Sequence, residues 1–141
     1  MPYCCGTRAL LFKIFLLDID NKVCCPSLIS CCYLHCYVPE NVVGVHGVGE
    51  WLDGKKINFF LVKINGDVQS YFDACAICYQ KRVGYRVESE EIVCRACDLR
   101  YSIYDLKIGK GSCHPIELMG HIEKGVYIIS IDALKAGLIY F

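Results

Sequence analysis

Two pairs of closely spaced cysteines constrain this chain more than any other feature of its sequence. Cys75 and Cys78 are separated by two residues, and after fifteen further residues Cys94 and Cys97 repeat the same spacing. Two intervening residues allow a tight loop to direct both thiolates at one centre, and two such loops side by side supply four sulfur ligands. The spacing therefore predicts a four-thiolate site for a metal ion or an iron-sulfur cluster.

A fifth cysteine, Cys113, follows Cys97 after another fifteen residues. A closed structural zinc site needs only four ligands, so Cys113 is predicted to replace one of the others, to take part in redox exchange or to cap the centre. Spacing alone favours zinc by default, but soft thiolates suit zinc and iron-sulfur centres alike. The adjacent His114 is a further candidate ligand, although a lone histidine is more often a surface or hydrogen-bonding residue.

The composition limits the classes of partner. The 15 Lys and Arg residues balance 15 Asp and Glu residues, and the chain contains no run of basic residues. A nucleic-acid interface needs basic residues concentrated on one face, so no nucleic-acid partner is predicted. With 55% hydrophobic residues among 141, the chain is long and apolar enough to form a packed core.

The region from residue 51 to residue 141 has the pattern of a mainly β domain. Short strand-like runs alternate with turn residues at intervals of about ten. Residues 57–64 are rich in β-branched and aromatic side chains, and Asn65-Gly66 follows them directly. This dipeptide predicts a type I′ hairpin turn, with residues 67–72 as the partner strand and Val68, Ser70 and Phe72 on one face.

The rest of this region is predicted to add strands and a single short helix. A second hairpin is expected around the acidic residues 88–91. Further strands are predicted over residues 85–87, 92–93, 99–103, 126–131 and 138–141. Asp132 is a candidate N-cap for a short C-terminal helix over residues 133–136, which Gly137 would end.

Residues 1–50 form a separate segment in this interpretation. Seven of the 12 cysteines lie in the first 36 residues, beside apolar runs at 9–17 and 23–38. Both runs are shorter than the roughly 20 apolar residues that span a bilayer. We expect this segment to act as a membrane anchor or targeting region, with a poorly ordered extension or a packed part of the domain as alternatives.

Several separated motifs around the cysteines agree with one known family. They are FDACAICY at 72–79, GYR at 84–86, IVCRAC at 92–97, G-x-GSCHPI at 109–116 and the closing G-x-x-YF at 137–141. In order and spacing these motifs make the chain resemble the FtrD-like membrane iron-sulfur proteins, which occur with bacterial and archaeal iron permease systems. The resemblance covers residues 53–141. It implies an extracytoplasmic, membrane-held domain with a cysteine-bound iron-sulfur centre and a redox role in ferrous iron uptake.

A more distant likeness concerns the fold. The order of strand, Asn-Gly hairpin, strand, ligand loop, hairpin, second ligand loop, aromatic strand and Gly/Pro loop is similar to a Rieske domain, and the paired ligand loops are also typical of a zinc ribbon. In a Rieske domain each ligand loop supplies one Cys and one His, whereas here both supply two cysteines. Residues 109–115 would then cover the centre, and the extra thiolates would lower its reduction potential.

These observations lead to one principal hypothesis and two alternatives. The principal hypothesis is an electron-transfer module in which Cys75, Cys78, Cys94 and Cys97 bind an iron-sulfur cluster and Cys113 caps or substitutes. Its expected location is the extracytoplasmic face of a membrane, and its expected partners are membrane redox or iron-permease proteins. The alternatives are a structural zinc module for protein interaction and a thiol-disulfide oxidoreductase, which needs a helix after one cysteine pair to lower the thiol pKa.

Overall fold

The computed structural model of this protein describes residues 33–36, 44–108 and 113–141. The apolar run at residues 9–17 and most of the run at 23–38 lie outside the described residues, so their expected anchoring role stays a prediction. Four residues of the predicted covering loop, 109–112, also lie outside them. Within the described ranges no helix combines the length and the apolar character of a membrane span.

In the described residues the chain forms ten strands arranged in three antiparallel sheets. The central sheet has the order β2 (Gly44–Leu52), β3 (Lys55–Ile64), β4 (Asp67–Cys75) and β8 (Pro115–Leu118). The hairpin sheet contains β5 (Tyr85–Glu88), β6 (Glu91–Cys94) and β7 (Arg100–Ser102). The terminal sheet has the order β1 (Tyr33–Cys36), β10 (Val126–Ser130) and β9 (Gly120–Glu123).

Tight turns connect the first three strands of the central sheet. Asn65 and Gly66 both have positive φ, 50° and 83°, as a type I′ turn requires, and this confirms the predicted hairpin between β3 and β4. Asp53 and Gly54 have φ values of 48° and 78° and make an equivalent turn between β2 and β3. The sequence analysis missed that second hairpin, although Asp-Gly is also a hairpin signal.

The two faces of the central sheet bury two separate hydrophobic cores. Alternate side chains of β3 enter each core, with Phe59 in one and Phe60 in the other. The helix-side core consists of Ile57, Phe59, Leu61, Val68, Phe72, Ala74, Leu118, Tyr127, Ile129 and Leu134. The cysteine-side core consists of Phe60, Val62, Tyr71, Cys75, Tyr85, Ile92, Cys94, Ile103, Leu106 and Cys113.

The prediction of a mainly β fold with one short C-terminal helix is confirmed. The helix, α1, spans Ile131–Ala136, and Gly137 is its C-cap as predicted. The predicted N-cap was wrong, because the Ser130 hydroxyl, and not the Asp132 side chain, accepts a hydrogen bond from the N–H of Ala133 at 3.0 Å. Serine is as good a cap as aspartate, and Ser130 precedes the helix whereas Asp132 lies inside it.

Two further details of the predicted elements differ from the structure. The predicted strand at residues 138–141 is a 3-10 helix over Leu138–Tyr140. The predicted strand at 99–103 is shorter, since β7 ends at Ser102 and Ile103–Ile108 forms another 3-10 helix. The order of β3, β4, the ligand loops and β7 follows the predicted order, while kinship with the Rieske domain stays a prediction.

Strands also extend across the predicted division between residues 50 and 51. β2 continues from Gly44 to Leu52 and pairs with β3 along its whole length. β1 pairs with β10, with Tyr33 opposite Ser130. Residues on both sides of the division therefore take part in the sheets.

Glu50 gives a testable pH dependence of stability. Glu50 lies two residues after Val48 and so on the same face of β2, which packs against the helix-side core. Burial raises the pKa of its carboxyl above 4.5. The folded state then binds more protons than the unfolded state, so stability falls as pH rises from about 4.5 through the raised pKa. We expect Glu50→Gln to raise the free energy of unfolding at pH 7 and to leave it nearly unchanged below about pH 4.

Denaturant unfolding at both pH values measures this effect of Glu50. Glu123 is an exposed glutamate on β9, and Glu123→Gln serves as the matched control that changes the same charge at the surface. An equal change in both variants, or a stabilisation by Glu50→Gln that persists unchanged at low pH, contradicts the expected role of burial.

Candidate metal centre

The five cysteines of the C-terminal region meet on the cysteine side of the central sheet. Cys75 is the last residue of β4 and Cys94 is the last residue of β6. Cys78 and Cys97 follow three residues later, each in the turn after its strand. Each pair therefore begins at the end of a strand. Both strand ends lie in the cysteine-side core, and so the two ligand loops are next to each other.

Cys113 reaches this place through pairing of the central sheet. It lies two residues before Pro115, which is opposite Cys75 in the β4–β8 register. The N–H of Ala76 also donates to the carbonyl oxygen of His114 at 3.1 Å. These contacts fix the chain next to Cys113 against the first ligand loop.

The sulfur atoms form two overlapping groups. Those of Cys75, Cys78 and Cys94 lie within 4.8 Å of one another, as do those of Cys78, Cys97 and Cys113. The Sγ atoms of Cys78 and Cys113 are 3.7 Å apart. Two sulfur ligands on one tetrahedral ion with bonds of about 2.3 Å lie about 3.8 Å apart. Each group can therefore hold a metal ion, and Cys78 belongs to both.

Backbone N–H groups surround the first sulfur of each loop. The Cys75 Sγ accepts a hydrogen bond from the N–H of Cys78 at 3.2 Å and another from the N–H of Ile77. The Cys94 Sγ likewise accepts hydrogen bonds from the N–H groups of Ala96 and Cys97 in the second loop. Hydrogen bonds of this kind stabilise a thiolate, which is the form that binds metal. The donor set thus fits a sulfur-ligated metal ion or an iron-sulfur centre.

The pKa of two of the five thiols is lowered. Burial acts to raise the pKa of the Cys75 thiol, but the N–H groups of Cys78 and Ile77 outweigh it, so the pKa lies below its ordinary value. The N–H of Leu99 is the main cause of a lowered pKa at Cys97. Cys97 is also the one exposed member of the five, whereas Cys75, Cys94 and Cys113 are buried.

The pKa of the other three thiols is raised. Burial raises the pKa of the Cys94 thiol to about 12. Hydrogen bonding to Cys97, followed by burial, raises the pKa of Cys113. The contact with Cys113 acts to lower the pKa of Cys78, but burial and the nearby Cys75 sulfur outweigh it and the pKa is raised. A metal ion that binds here must displace these protons.

Two tyrosines that the sequence analysis did not assign to the site contact the centre. The hydroxyl of Tyr85 donates to the carbonyl oxygen of Cys113 at 2.7 Å. The hydroxyl oxygen of Tyr101 accepts from the N–H of Cys113 at 3.2 Å. Tyr85 belongs to the GYR motif at 84–86, but the motif does not indicate its contact with Cys113, because that contact and the one from Tyr101 depend on long-range pairing. Of the other predicted candidates, His114 is half-buried and belongs to neither sulfur group.

Part of the basic charge near the ligand loops is neutralised. Arg86 donates to Glu88 at 2.6 Å and to Asp98 at 2.8 Å. Arg100 donates to Glu88 at 2.6 Å and to Glu91 at 3.1 Å. These pairs are at the surface and contribute little to stability individually. Their main effect is to cancel positive charge beside the ligand loops.

Comparison with known protein families gives one match. A family model described as "membrane iron-sulfur containing protein FtrD-like" matches residues 45–141. A search of curated proteins gave no match. The matched range contains all five cysteines of the centre and eight residues before the start of the resemblance predicted from the sequence at residue 53.

Proposed function

This chain belongs to the FtrD-like family of membrane iron-sulfur proteins, and on that premise we propose that its cysteine centre binds an iron-sulfur cluster and that the protein transfers electrons. Cys75, Cys78, Cys94 and Cys97 would be the ligands, with Cys113 as cap or substitute. An iron-sulfur cluster at this position would supply one-electron redox chemistry. The observation that carries the proposal is the convergence of five sulfur atoms in two groups that share Cys78.

The burial of the site supports electron transfer over storage or transport of free metal. Cys75, Cys94 and Cys113 are at most 5% exposed, which excludes solvent from most of the centre. Cys97 is exposed, and its neighbour Leu99 and the loop residue Ile77 are exposed apolar side chains at 45% and 63%. An electron-transfer protein needs one accessible edge of an otherwise shielded centre, and Cys97 provides that edge.

The partner and the location extend the same proposal. The family name implies a membrane setting, so we propose a membrane redox or iron-permease protein as the partner, reached from the extracytoplasmic face. Lys81 and Arg82, which follow the first ligand loop, are exposed. Exposed cations near the centre would steer an acidic partner surface towards it.

A structural zinc module is the second candidate. The 3.7 Å separation of the Cys78 and Cys113 sulfur atoms and the hydrogen bonds to the Cys75 and Cys94 sulfurs suit zinc as well as iron. Thiol-disulfide exchange has less support. Such sites place the reactive cysteine at the N-terminus of an α-helix. In the described residues the first pair is followed only by a single 3-10 turn over Tyr79–Lys81, and α1 begins at Ile131, far along the chain from both pairs.

Purification of the full-length chain without oxygen tests the proposal. We expect visible absorption, bound iron and inorganic sulfide, and loss of the colour on reduction followed by its return on reoxidation. The structural zinc alternative predicts a colourless protein with about one zinc ion per chain. A colourless protein that retains zinc after reconstitution with iron and sulfide contradicts the electron-transfer proposal.

A further inference from the structure

A cleft lies on the cysteine side of the central sheet, between β2 and the hairpin sheet. Its volume is about 320 Å³, within the range of pockets that hold small ligands. Phe60 from β3, Val87 from β5 and Ile92 from β6 form its apolar walls, and none of the five cysteines lines it. Phe60 and Ile92 are buried whereas Val87 is exposed, so the cleft is apolar at its base and opens to solvent beside β5.

Two glycines of β2 keep this cleft open. Gly47 is opposite Phe60 in the β2–β3 register, and a Cβ atom there would meet no heavy atom of the described residues within 4 Å beyond its chain neighbours. Gly49 is opposite Asn58, and a Cβ atom there would lie 2.7 Å from Lys56 Cε and 3.0 Å from Asn58 Oδ1. The lack of side chains on β2 thus leaves space for a ligand at Gly47 and lets polar side chains approach at Gly49.

Polar groups gather at one end of the cleft. Asn58 and Asp73 both line it, from the neighbouring strands β3 and β4. Lys56 lies two residues before Asn58 and so on the same face of β3, and its Nζ would be 3.4 Å from a Cβ atom at Gly49. This end of the cleft therefore offers an ammonium group, an amide and a carboxylate, while the other end is apolar.

These polar groups have unused hydrogen-bonding capacity. One carboxylate oxygen of Asp73 accepts from the N–H of Tyr85 at 2.6 Å, and no described residue donates to the other oxygen. Arg95 attracts this carboxylate but forms no ion pair with it. Within the described ranges the Asn58 amide and the Lys56 ammonium group also have no partner. Convergent polar groups without partners at one end of an apolar cleft point to a ligand that supplies those partners.

We propose that this cleft binds a free α-amino acid with an apolar side chain. The ammonium group of the ligand donates to the second oxygen of Asp73, and its carboxylate accepts from Lys56 and from the amide N–H of Asn58. Its side chain occupies the apolar end. Charge-assisted hydrogen bonds of both signs favour a zwitterion, because an amine or a carboxylic acid would leave one charged group of the cleft unmatched. The site goes beyond the proposed function, since it uses no cysteine and needs no metal.

Calorimetric titration of the full-length protein, purified without oxygen, with L-leucine tests the proposal. We expect one molecule of leucine to bind per chain. Three compounds each lack one part of leucine: glycine lacks the apolar side chain, 3-methylbutylamine lacks the carboxylate and 4-methylpentanoate lacks the ammonium group. Each is expected to bind at least tenfold more weakly than leucine, because each loses one of the three contacts.

Two variants test the position of the ligand. Gly47→Ile is expected to abolish binding, because the new side chain fills the space opposite Phe60 and suits a strand. Asp73→Asn keeps an acceptor for the N–H of Tyr85 and removes the charge, so binding is expected to weaken at least tenfold. Asp105→Asn is the matched control, since Asp105 is exposed and does not line the cleft, and it is expected to bind leucine as the unmodified chain does.

Nuclear magnetic resonance of the unmodified chain locates the ligand even where a variant does not fold. Leucine is expected to shift the N–H resonances of Gly49 and Val87 and to leave those of α1 unchanged. Absence of binding at millimolar leucine, equal binding of leucine and 4-methylpentanoate, unchanged binding in Gly47→Ile, or shifts confined to other regions overturn the proposal. These measurements do not depend on the cysteine centre, so they decide the inference whether that centre holds an iron-sulfur cluster or zinc.

Discussion

Replacement of Cys94 by serine is expected to abolish metal binding and to lower the free energy of unfolding by about 3 kcal/mol or more. The Cys94 side chain is completely buried and belongs to the cysteine-side core. Serine oxygen is a poor ligand for a metal that prefers soft sulfur. In small cysteine-ligated domains the free energy of metal binding is also free energy of folding. Metal analysis and denaturant unfolding of the full-length variant measure the two losses.

Ala96→Ser is the matched control for Cys94→Ser. Ala96 is a half-buried residue of the same loop, so the change introduces the same hydroxyl and leaves all five sulfurs in place. It is expected to retain its metal. Cys113→Ser is expected to have a milder effect than Cys94→Ser, because in the proposed ligand set Cys113 only caps the centre or replaces another ligand. Equal losses at all five cysteines would refute the four-ligand assignment, and full metal content in Cys94→Ser would refute the site.

Removal of the metal by a chelator is expected to unfold the hairpin sheet and to leave the helix-side core folded. Three of the ten residues of the cysteine-side core are cysteines, whereas the helix-side core contains none. The hairpin sheet contributes Tyr85, Ile92 and Cys94 to the cysteine-side core. Without a cation, the thiols of this core no longer connect the hairpin sheet to β4. The two faces of the central sheet should therefore differ in their dependence on metal.

Amide hydrogen exchange of the metal-loaded and metal-free protein measures this difference. We expect exchange in β5 and β6 to accelerate by roughly two orders of magnitude after metal removal. Exchange in β3, whose residues Ile57, Phe59 and Leu61 belong to the helix-side core, is expected to change much less. A uniform acceleration throughout the described strands would show that the two cores fold as one unit, and unchanged exchange would show that no metal supports the fold.

Local sequence signals were sufficient to predict the hairpins that contribute most to the site. Asn65-Gly66 defines the β3–β4 turn through positive φ at both residues, and the acidic residues 88–91 contain the β5–β6 turn, with Glu88 opposite Glu91. Alternation along β4 also correctly placed Val68 and Phe72 on one face, in the helix-side core. These features depend on backbone preference and side-chain period, which are local properties.

Long-range pairing accounts for most of what the sequence did not reveal. β9 was not predicted, although Lys124 and Gly125 form its turn to β10 with φ values of 50° and 79°. The pairing of β1 with β10 joins residues about a hundred positions apart. Such pairs are specified by packing of the whole domain and not by any local pattern. The same reason explains why the contact of Tyr85 with Cys113 was not foreseen.

The spacing of the cysteines predicts which residues form the candidate centre but not how they are arranged. The Cys-x2-Cys spacing identified Cys75, Cys78, Cys94 and Cys97, and the regular gaps pointed to Cys113. Spacing carries no information on distances between loops. The sharing of Cys78 by two sulfur groups follows from the β4–β8 and β5–β6 registers, which only the folded chain defines.

X-ray absorption at the metal edge, on full-length protein purified without oxygen, tests the convergence of these sulfur atoms on one centre most directly. The arrangement of the five cysteines predicts a stoichiometric metal whose nearest neighbours are sulfur atoms at about 2.3 Å. A nearest shell dominated by oxygen or nitrogen, or a protein that retains no metal in stoichiometric amount, would contradict it.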